Sequence, residues 1–475
     1  MWIDDRFTRR RMLSRCFNGI GSLALTDLLF RGAASGAAIN PLAPKRPPIP
    51  AKAKSCIFIY LSGGMSQVDT FDYKPALQKY AGQPMPKIPG VEGEIEAFLK
   101  GKTQVLPETD PFQRVGQSGR QISSLFRHLG GCIDDLAFVR GIKVDSNNHS
   151  PATMHVNTGS VFQGNPSVGA WVVYGLGSEN QNLPGYIVLH DPRGGPVNNS
   201  AVWQSGYLPA TYQGTPLRPS GTPILDLESA KGVTREQARR ELELLRWMNE
   251  RHAAERASVD DLEARIASYE LAFRMQTEAP SVVDISKEPE HIRKMYGLDQ
   301  PETEAFGRQC LLARRMVEKG VRFVLLVHGW ENGAYSWDHH RDIKKLLPQR
   351  VREVDQPAAA LLKDLKQRGM FNDTLVAWTS EMGRTPFAEG GAGRNHNQWG
   401  LVNWLAGGGI RGGADFGGTD DFGLRAAGSP IPIRDVHATI LQQLGLDNHA
   451  LTYLHEGRYK RLTDTGGRVI KEILS

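Results

Sequence analysis

A run of six apolar residues, 56–61, is the feature that most constrains how this chain can fold, because both faces of the segment are hydrophobic. β-Branched and aromatic residues dominate the run, and Ser62, Gly63 and Gly64 end it. Such a strand is typical of a parallel sheet that helices cover on both faces. Ligands of these sheets bind beyond the carboxyl ends of the strands. The polar loop after residue 61 is therefore a candidate part of a site.

The same arrangement, a short apolar strand followed by a polar loop, recurs along the chain. Its other occurrences are residues 137–140 before Asn148 and His149, residues 323–327 before Trp337 and Asp338, and residues 374–378 before Ser380 and Glu381. Because parallel strands bring their carboxyl ends to one edge of a sheet, we expect these loops to face one site. The sequence thus predicts an α/β fold, a doubly wound three-layer sandwich with a mostly parallel central sheet.

Residues 227–298 depart from this alternation. The stretch 234–275 is rich in Ala, Leu and charged residues and contains neither Gly nor Pro, which favours long helices. We interpret the segment as a helical insertion whose charges form a solvated face of i,i+4 pairs. A partner-binding coiled coil is the alternative, but apolar heptads are not sustained.

Composition excludes some classes of function. Hydrophobic residues make up 40% of the 475, which is enough for a sizeable core. The net charge is +6, but without the arginine-rich residues 1–38 the chain has 51 basic and 48 acidic side chains. This near balance lacks the excess of positive charge that is typical of nucleic-acid-binding proteins. The four cysteines lack CxxC spacing, so buried free thiols are expected.

Residues 1–38 are typical of an export signal, with charged, apolar and small-residue regions in that order. Residues 8–13 (TRRRML) fit the twin-arginine pattern, which implies the twin-arginine export machinery as a partner and a periplasmic or cell-envelope location. A basic amphipathic surface helix is the alternative. The apolar stretch 17–30 is too short to span a membrane and carries Asp27, so no transmembrane span is expected in the mature chain.

The remaining chain is expected to form one domain. Residues 39–53 are interpreted as an extended linker because residues 41–50 are rich in Pro. The domain then covers residues 54–475 and includes the helical insertion.

Several residues in the predicted loops have the chemistry of a metal site. Asp338 and His340 are two residues apart, so in extended backbone they project from the same face and can reach one metal ion. Glu381 ends a buried strand, where a carboxylate is costly unless it is paired or used. His396 adds an imidazole in a glycine-bracketed loop. By contrast, residues 155 and 437 are histidines on predicted helices and are interpreted as core or capping residues.

The chain resembles the bacterial domain-of-unknown-function 1501 family, which is assigned to the alkaline-phosphatase-like superfamily together with sulfatases and phosphoglycerate mutases. The resemblance rests on residues 63–75 (GGMSQVDTFDYKP), 337–340 (WDHH), 364–369 (DLKQRG), 381–386 (EMGRTP), 393–396 (GRNH), 435–441 (DVHATIL) and 461–464 (RLTD).

The resemblance implies an alkaline-phosphatase-like fold with divalent cations at the carboxyl ends of the strands. Transferred onto this sequence, it implies one ion (Zn, Ca or Mg), because the Asp-His pair of the superfamily falls on Glu381 and Met382 and loses an imidazole. The implied ligands are Asp338, His340, Glu381 and His396, with Asp69 as a further candidate. The implied substrate-binding residues are Arg384, Arg394 and Asn148, the arginines through paired donors to an anion. A structural ion pair of Glu381 with Arg384 or Arg394, which would anchor a loop, is the alternative.

Residues 148–159 also resemble the frame of the sulfatase nucleophile motif. Pro151 and Thr158-Gly159 are in place, while Thr153 replaces the expected arginine and His149 stands at the nucleophile position. A histidine cannot become formylglycine, but it can accept a phosphoryl group, act as a base or bind a metal. His149 is therefore the catalytic candidate. The alternative is structural: a helix that is capped by Ser150 and has Pro151 at its first position would explain the same residues.

These observations predict an exported, metal-dependent hydrolase of sulfate or phosphate esters, acting on an anionic small-molecule or glycan ester. The alternative is a catalytically degenerate member of the same fold that binds an anionic glycan or organises an exported complex. A partner module built on residues 227–298 is least favoured, because it leaves the clustered Asp, His, Glu and Arg unexplained.

Overall fold

The computed structural model describes residues 40–88, 104–224, 232–254, 260–330, 336–389 and 392–475. The predicted export signal, residues 1–38, lies outside the described residues, and so does residue 39 of the predicted linker. Residues 40–53 contain neither helix nor strand.

Helices and strands alternate along most of the described chain. The strands are β1 Ser55–Leu61, β2 Phe112–Val115, β3 Arg120–Ser123, β4 Leu136–Lys143, β5 Tyr186–Leu189, β6 Thr215–Leu217, β7 Phe323–His328, β8 Thr374–Ser380, β9 Gly383–Glu389, β10 Gly393–Asn397, β11 Leu401–Ala406, β12 Asp415–Gly417, β13 Ile431–Pro432, β14 Tyr453–His455 and β15 Arg458–Lys460. The α-helices are α1 Pro75–Lys79, α2 His149–Thr158, α3 Val168–Leu176, α4 Arg235–Ala254, α5 Asp260–Val283, α6 Glu290–Met295, α7 Glu304–Glu318, α8 Ile343–Gln367 and α9 Ile433–Gln443.

Nine strands form the central sheet in the order β12-β4-β11-β8-β1-β7-β5-β6, with β13 also pairing with β4. Strand β11 is antiparallel to both of its neighbours, β4 and β8. The other pairs in the sheet are parallel. The predicted mostly parallel sheet is confirmed.

Strand β1 lies in the middle of the sheet and is buried along its whole length. Ile57, Ile59 and Leu61 pack into one core layer, with α7 and α8. Phe58 and Tyr60 pack into the other, with α2, α3 and α9. Full burial of each such side chain stabilises the fold by about 1.5–3 kcal/mol. The apolar run is therefore covered on both faces, and the predicted three-layer sandwich is confirmed.

The segment predicted as a helical insertion holds helices α4, α5 and α6. The end of α5 buries Met275, Ala279 and Val282 in the core layer of α7. Helix α4 packs along α5 and leaves Trp247 and Met248 exposed. Within the described residues, no helix combines the length and the apolar character that a bilayer crossing requires.

Strands β9 and β10 form a hairpin directly after β8, outside the central sheet. Its register sets His396 opposite Arg384 and Gly393 opposite Glu389. The hairpin therefore carries three of the predicted site residues, Arg384, Arg394 and His396, beyond the carboxyl end of β8.

Candidate metal centre

Four polar side chains meet beyond the carboxyl edge of the sheet: His149, Asp338, His340 and His396. His149 begins α2 after β4, Asp338 and His340 lie between β7 and α8, and His396 lies on β10. One ligand atom from each residue lies within 4.8 Å of those of the others. The structure thus brings together three of the five predicted metal ligands and the predicted catalytic residue.

Oδ1 of Asp338 is the centre of this cluster. Nε2 of His340 lies 2.9 Å from it, and Nε2 of His149 and Nε2 of His396 each lie 3.2 Å from it. The Nε2 atoms of His340 and His396 are 2.8 Å apart. Neighbouring ligand atoms in a tetrahedral zinc site are about 3.3 Å apart, given Zn–N distances of about 2.0–2.1 Å. The four atoms therefore have nearly the spacing of one ion's coordination shell.

The outer ring nitrogens of His340 and His396 are both held by acceptors. Nδ1 of His396 donates to the backbone carbonyl of Asn147 at 2.6 Å. Nδ1 of His340 bonds to the carboxylate of Glu389. Each neutral ring therefore carries its proton on Nδ1 and turns the lone pair of Nε2 towards the other ring. Two lone pairs at this distance repel each other unless a proton or a metal ion lies between them.

His149 is held in the same way from the end of β8. Its Nδ1 lies 2.8 Å from Oε1 of Glu381, which also accepts from the backbone N–H of Gly63 at 2.7 Å. The hydroxyl of Tyr60 donates to the other oxygen of Glu381 at 3.1 Å. Nε2 of His149 is buried and faces Oδ1 of Asp338 at 3.2 Å. Acceptors that fix the tautomer of each imidazole are typical of metal sites, so these residues fit a metal ion.

Asp338 is ionised at the centre of the cluster. Burial opposes the charged form of His149, but hydrogen bonds with Asp338 and Glu381 raise its pKa to about 9. Burial would raise the pKa of Asp338, yet its contacts with the three imidazoles and with the Arg384 guanidinium hold it far below its usual range. The hydrogen bond with Asp338 raises the pKa of His340, whereas burial lowers the pKa of His396. An ionised carboxylate therefore stands at the centre of the three rings.

Glu381, predicted from the sequence as a ligand, lies outside the four-residue cluster. It follows β8 in the middle of the sheet, and from there its side chain reaches Gly63 and His149. Burial would raise its pKa, but the hydrogen bond and the charge of His149, together with backbone N–H donors, lower the pKa on balance. Glu381 is thus an ionised carboxylate that bonds to His149, a candidate ligand, on the side of the ring away from Asp338.

Arg384, predicted to bind substrate, is fully buried. Its Nη2 donates to Asp338 and to the carbonyl of Gly63, and its Nε donates to the carbonyl of Gly64 at 2.8 Å. Nη1 donates to the carbonyl of Arg394 at 3.1 Å. The guanidinium therefore ties the hairpin to the loop after β1 and orients Asp338.

Arg394 and Asp69 form a fully buried ion pair with two hydrogen bonds, of 2.7 and 3.0 Å. Asp69 also accepts from the hydroxyl of Ser66 at 2.5 Å, and Arg394 donates to the carbonyl of Thr385 at 3.1 Å. Paired donors and full burial make this a strong, specific contact. The predicted fifth ligand and the second predicted substrate-binding arginine are therefore bonded to each other, outside the cluster.

Asn148 caps helix α2, a position that the sequence analysis gave to Ser150. Asn148 has extended backbone, and its side-chain oxygen accepts from the N–H of Ser150 at 3.2 Å. Gly159 ends the helix with a φ of 74°. Asn148 is exposed beside His149, so it lies at the rim of the cluster.

The two helical histidines lie away from the cluster. His437 is fully buried and its Nε2 bonds to the carbonyl of Val156 at 2.7 Å. His155 is also buried, and its Nδ1 accepts from the N–H of Asp145 at 3.0 Å. Both therefore have core contacts of the kind that was expected.

Sequence reasoning missed the acceptors Glu389 and Asn147. Glu389 reaches His340 only because of the β9–β10 register, and the glycines around the hairpin were the sole signal for that. Asn147 acts through its main-chain carbonyl, which no side-chain pattern reveals.

The fold and the cluster define an α/β sandwich protein with a candidate site for a metal ion. The chain belongs to the family described as protein of unknown function DUF1501, whose family model matches residues 53–474. The resemblance seen in the motifs is thereby confirmed. No curated protein matches the chain.

Several solved structures are similar at low identity. Ps i-CgsB in complex with k-i-k-neocarrahexaose is 10% identical, with a TM-score of 0.36 and coverage of 83% of this chain and 72% of that one. The phosphonate monoester hydrolase from Silicibacter pomeroyi is 12% identical, with a TM-score of 0.35 and coverage of 88% and 77%. A mutant of TAB5 alkaline phosphatase with Mg bound is 10% identical, with a TM-score of 0.35 and coverage of 84% and 99%.

Proposed function

We propose that this protein is a metal-dependent hydrolase of sulfate or phosphate esters that holds one ion with His149, Asp338, His340 and His396. One observation carries the proposal: three Nε2 atoms surround a single carboxylate oxygen, while all three Nδ1 atoms are committed to acceptors. A cation that all four atoms share satisfies every lone pair at once.

The donor set bears on the identity of the ion. Three imidazoles and one carboxylate suit zinc and its neighbours in the first transition row. Calcium and magnesium prefer sites built from oxygen ligands. Of the three ions that the sequence resemblance implied, zinc has the best support.

A divalent cation held there would polarise an ester oxygen and strengthen a water nucleophile. The side chains of this protein hold and orient its ligands. Both nitrogens of His149 are engaged, Nδ1 with Glu381 and Nε2 in the cluster, so we assign His149 to metal binding and not to accepting a phosphoryl group. Arg384 orients Asp338. Of the three residues predicted to bind substrate, Asn148 is the exposed one, and we assign it to substrate contact.

Metal content and ester hydrolysis, measured on the same purified protein, test this function. We expect about one zinc per chain and turnover of at least one of an aryl sulfate, an aryl phosphate and an aryl phosphodiester. Asp338→Asn and His396→Ala should lose both properties, while Lys54→Ala, a change at an exposed side chain, should keep them. Full metal content in both cluster variants would remove these residues as ligands.

One observation favours a second candidate, a degenerate member of the fold that binds an anionic glycan or organises an exported complex. Both arginines expected to bind an anion are buried in internal contacts. Zinc-loaded protein that binds a sulfated glycan but hydrolyses none of the esters would support this alternative.

We also propose that residues 1–38 direct export by the twin-arginine route to the periplasm or cell envelope. The support is the arginine pair, Arg9 and Arg10, before an apolar stretch. Replacing both by Lys should retain the precursor in the cytoplasm of its bacterial host. Unchanged export of that variant would contradict the proposal.

A further inference from the structure

The loop between β5 and β6 contacts the start of α2 through one side chain. The hydroxyl of Ser150 donates to Oδ1 of Asn198 at 2.7 Å, and Nδ2 of Asn198 donates to the carbonyl of Ser150 at 2.7 Å. One carboxamide therefore binds both the side chain and the main chain of Ser150. Ser150 directly follows His149, so this contact lies one residue from the cluster.

Asn198 makes this contact from a disfavoured backbone conformation. Its φ is 67°, and that of Asn199 is 43°. Left-handed backbone is costly for residues with a side chain, although Asn tolerates it better than most. These two residues are half of the four non-glycine residues with positive φ in the described chain. Such conformations persist where the surrounding structure enforces them, and they concentrate at functional sites.

The loop is anchored to the same core layer as the helix that it contacts. Just after Asn198, a 3₁₀ turn, Asn199–Trp203, buries Val202 and Trp203. They belong to the core layer that contains Ala152 and Val156 of α2. The loop and the helix therefore form one packed unit, and the carboxamide is fixed before any ligand binds.

We infer that Asn198 is a positioning residue that holds His149 in the metal centre by fixing the backbone of Ser150; this rests on the metal centre of the proposed function. Glu381 fixes the ring of His149 through Nδ1, and Asn198 fixes the main chain from which that ring projects. Coordination tolerates displacements of only a few tenths of an ångström, so both constraints are needed.

Zinc affinity of the full-length protein, measured by competition with a chromophoric chelator, tests the inference. Asn198→Gly keeps the left-handed backbone accessible and removes both bonds, so zinc should bind about tenfold more weakly. Asn199→Gly is the matched control, since it makes the same change one residue on and leaves the bonds to Ser150 intact. Its zinc affinity should equal that of the parent protein.

Two further measurements make the result unambiguous. If Asn198→Gly does not fold, Ser150→Ala replaces it, because it removes the hydroxyl bond from the helix side and should also weaken zinc binding. Thermal unfolding of the zinc-free variants tests for a purely structural role of Asn198. A variant with a lower melting temperature but unchanged zinc affinity would show such a role and would overturn the inference. A parent protein that binds no zinc would refute the proposed function as well. A parent that binds zinc no more tightly than Asn198→Gly would refute this inference alone.

Discussion

Nδ1 of His149 lies 2.8 Å from Oε1 of Glu381, a carboxylate with no exposed surface at the end of β8. This contact joins two residues that the sequence placed in one site but in different roles. Glu381 therefore orients the ring of His149, a candidate metal ligand. The contact turns Nε2 of His149 towards Asp338.

Replacing Glu381 by Gln should weaken zinc binding by about one to two orders of magnitude. Gln keeps an acceptor for Nδ1 of His149 but loses the charge that strengthens the ligand. Glu389→Gln is the matched control, because Glu389 supports His340 in the same way but is 41% exposed. Isothermal titration with zinc should therefore give a smaller loss for that variant, and equal losses would argue against a role for burial.

Asp69→Ala should reduce the free energy of unfolding by about 3–5 kcal/mol, because it leaves Arg394 buried without its partner. The folded fraction should still bind one zinc per chain. Urea denaturation measures the first effect and metal analysis the second. The exposed pair of Lys54 and Asp373 is the control, and Asp373→Ala should cost at most about 1 kcal/mol. Loss of zinc without loss of stability would instead mark Asp69 as a ligand.

Gly63→Ala should abolish zinc binding and cost about 2–4 kcal/mol of stability. Gly63 has a φ of 117°, and a Cβ there would lie 2.5 Å from the backbone nitrogen of Trp337 and 2.6 Å from that of Asp338. The comparison is Gly82→Ala, where φ is 73° and the space within 4 Å is open. That variant should bind zinc normally and lose about 1 kcal/mol. Normal zinc binding by Gly63→Ala would contradict the close approach of the two loops.

Acid should destabilise the protein partly through His437. Burial lowers the pKa of this residue to about 4 in the folded state, against about 6.5 when unfolded. The unfolded chain therefore binds the extra proton first, and stability falls as the pH drops from 6.5 to 4, by up to about 3 kcal/mol.

Urea denaturation between pH 4 and 7 measures that loss. His437→Gln should flatten the pH dependence, while His291→Gln, at an exposed residue, should not. Parallel curves for the parent and His437→Gln would show that His437 contributes nothing to the acid sensitivity.

The fold was predictable because a buried strand requires a local run of apolar residues, which is visible in the sequence. Ile57, Phe58 and Ile59 are apolar regardless of face, and only a strand covered on both sides needs that pattern. Asp338 and His340 were predicted by their spacing and by resemblance, and the structure brings them together.

The partners of the buried charges were not predictable in the same way. Asp69 and Arg394 are 325 residues apart in sequence, and a carboxylate in a loop has the same sequence appearance whether it binds a guanidinium or a metal ion. The separate roles of Glu381 and His149 depend on a contact between residues 232 positions apart in sequence, which neither motif reveals.

Anomalous diffraction at the zinc edge, from crystals of the purified protein, tests the central claim most directly. The account predicts one strong peak per chain, about 2.0–2.2 Å from Nε2 of His149, Nε2 of His340, Nε2 of His396 and Oδ1 of Asp338. A zinc peak elsewhere in the chain, or none at this cluster in zinc-soaked crystals, would contradict it.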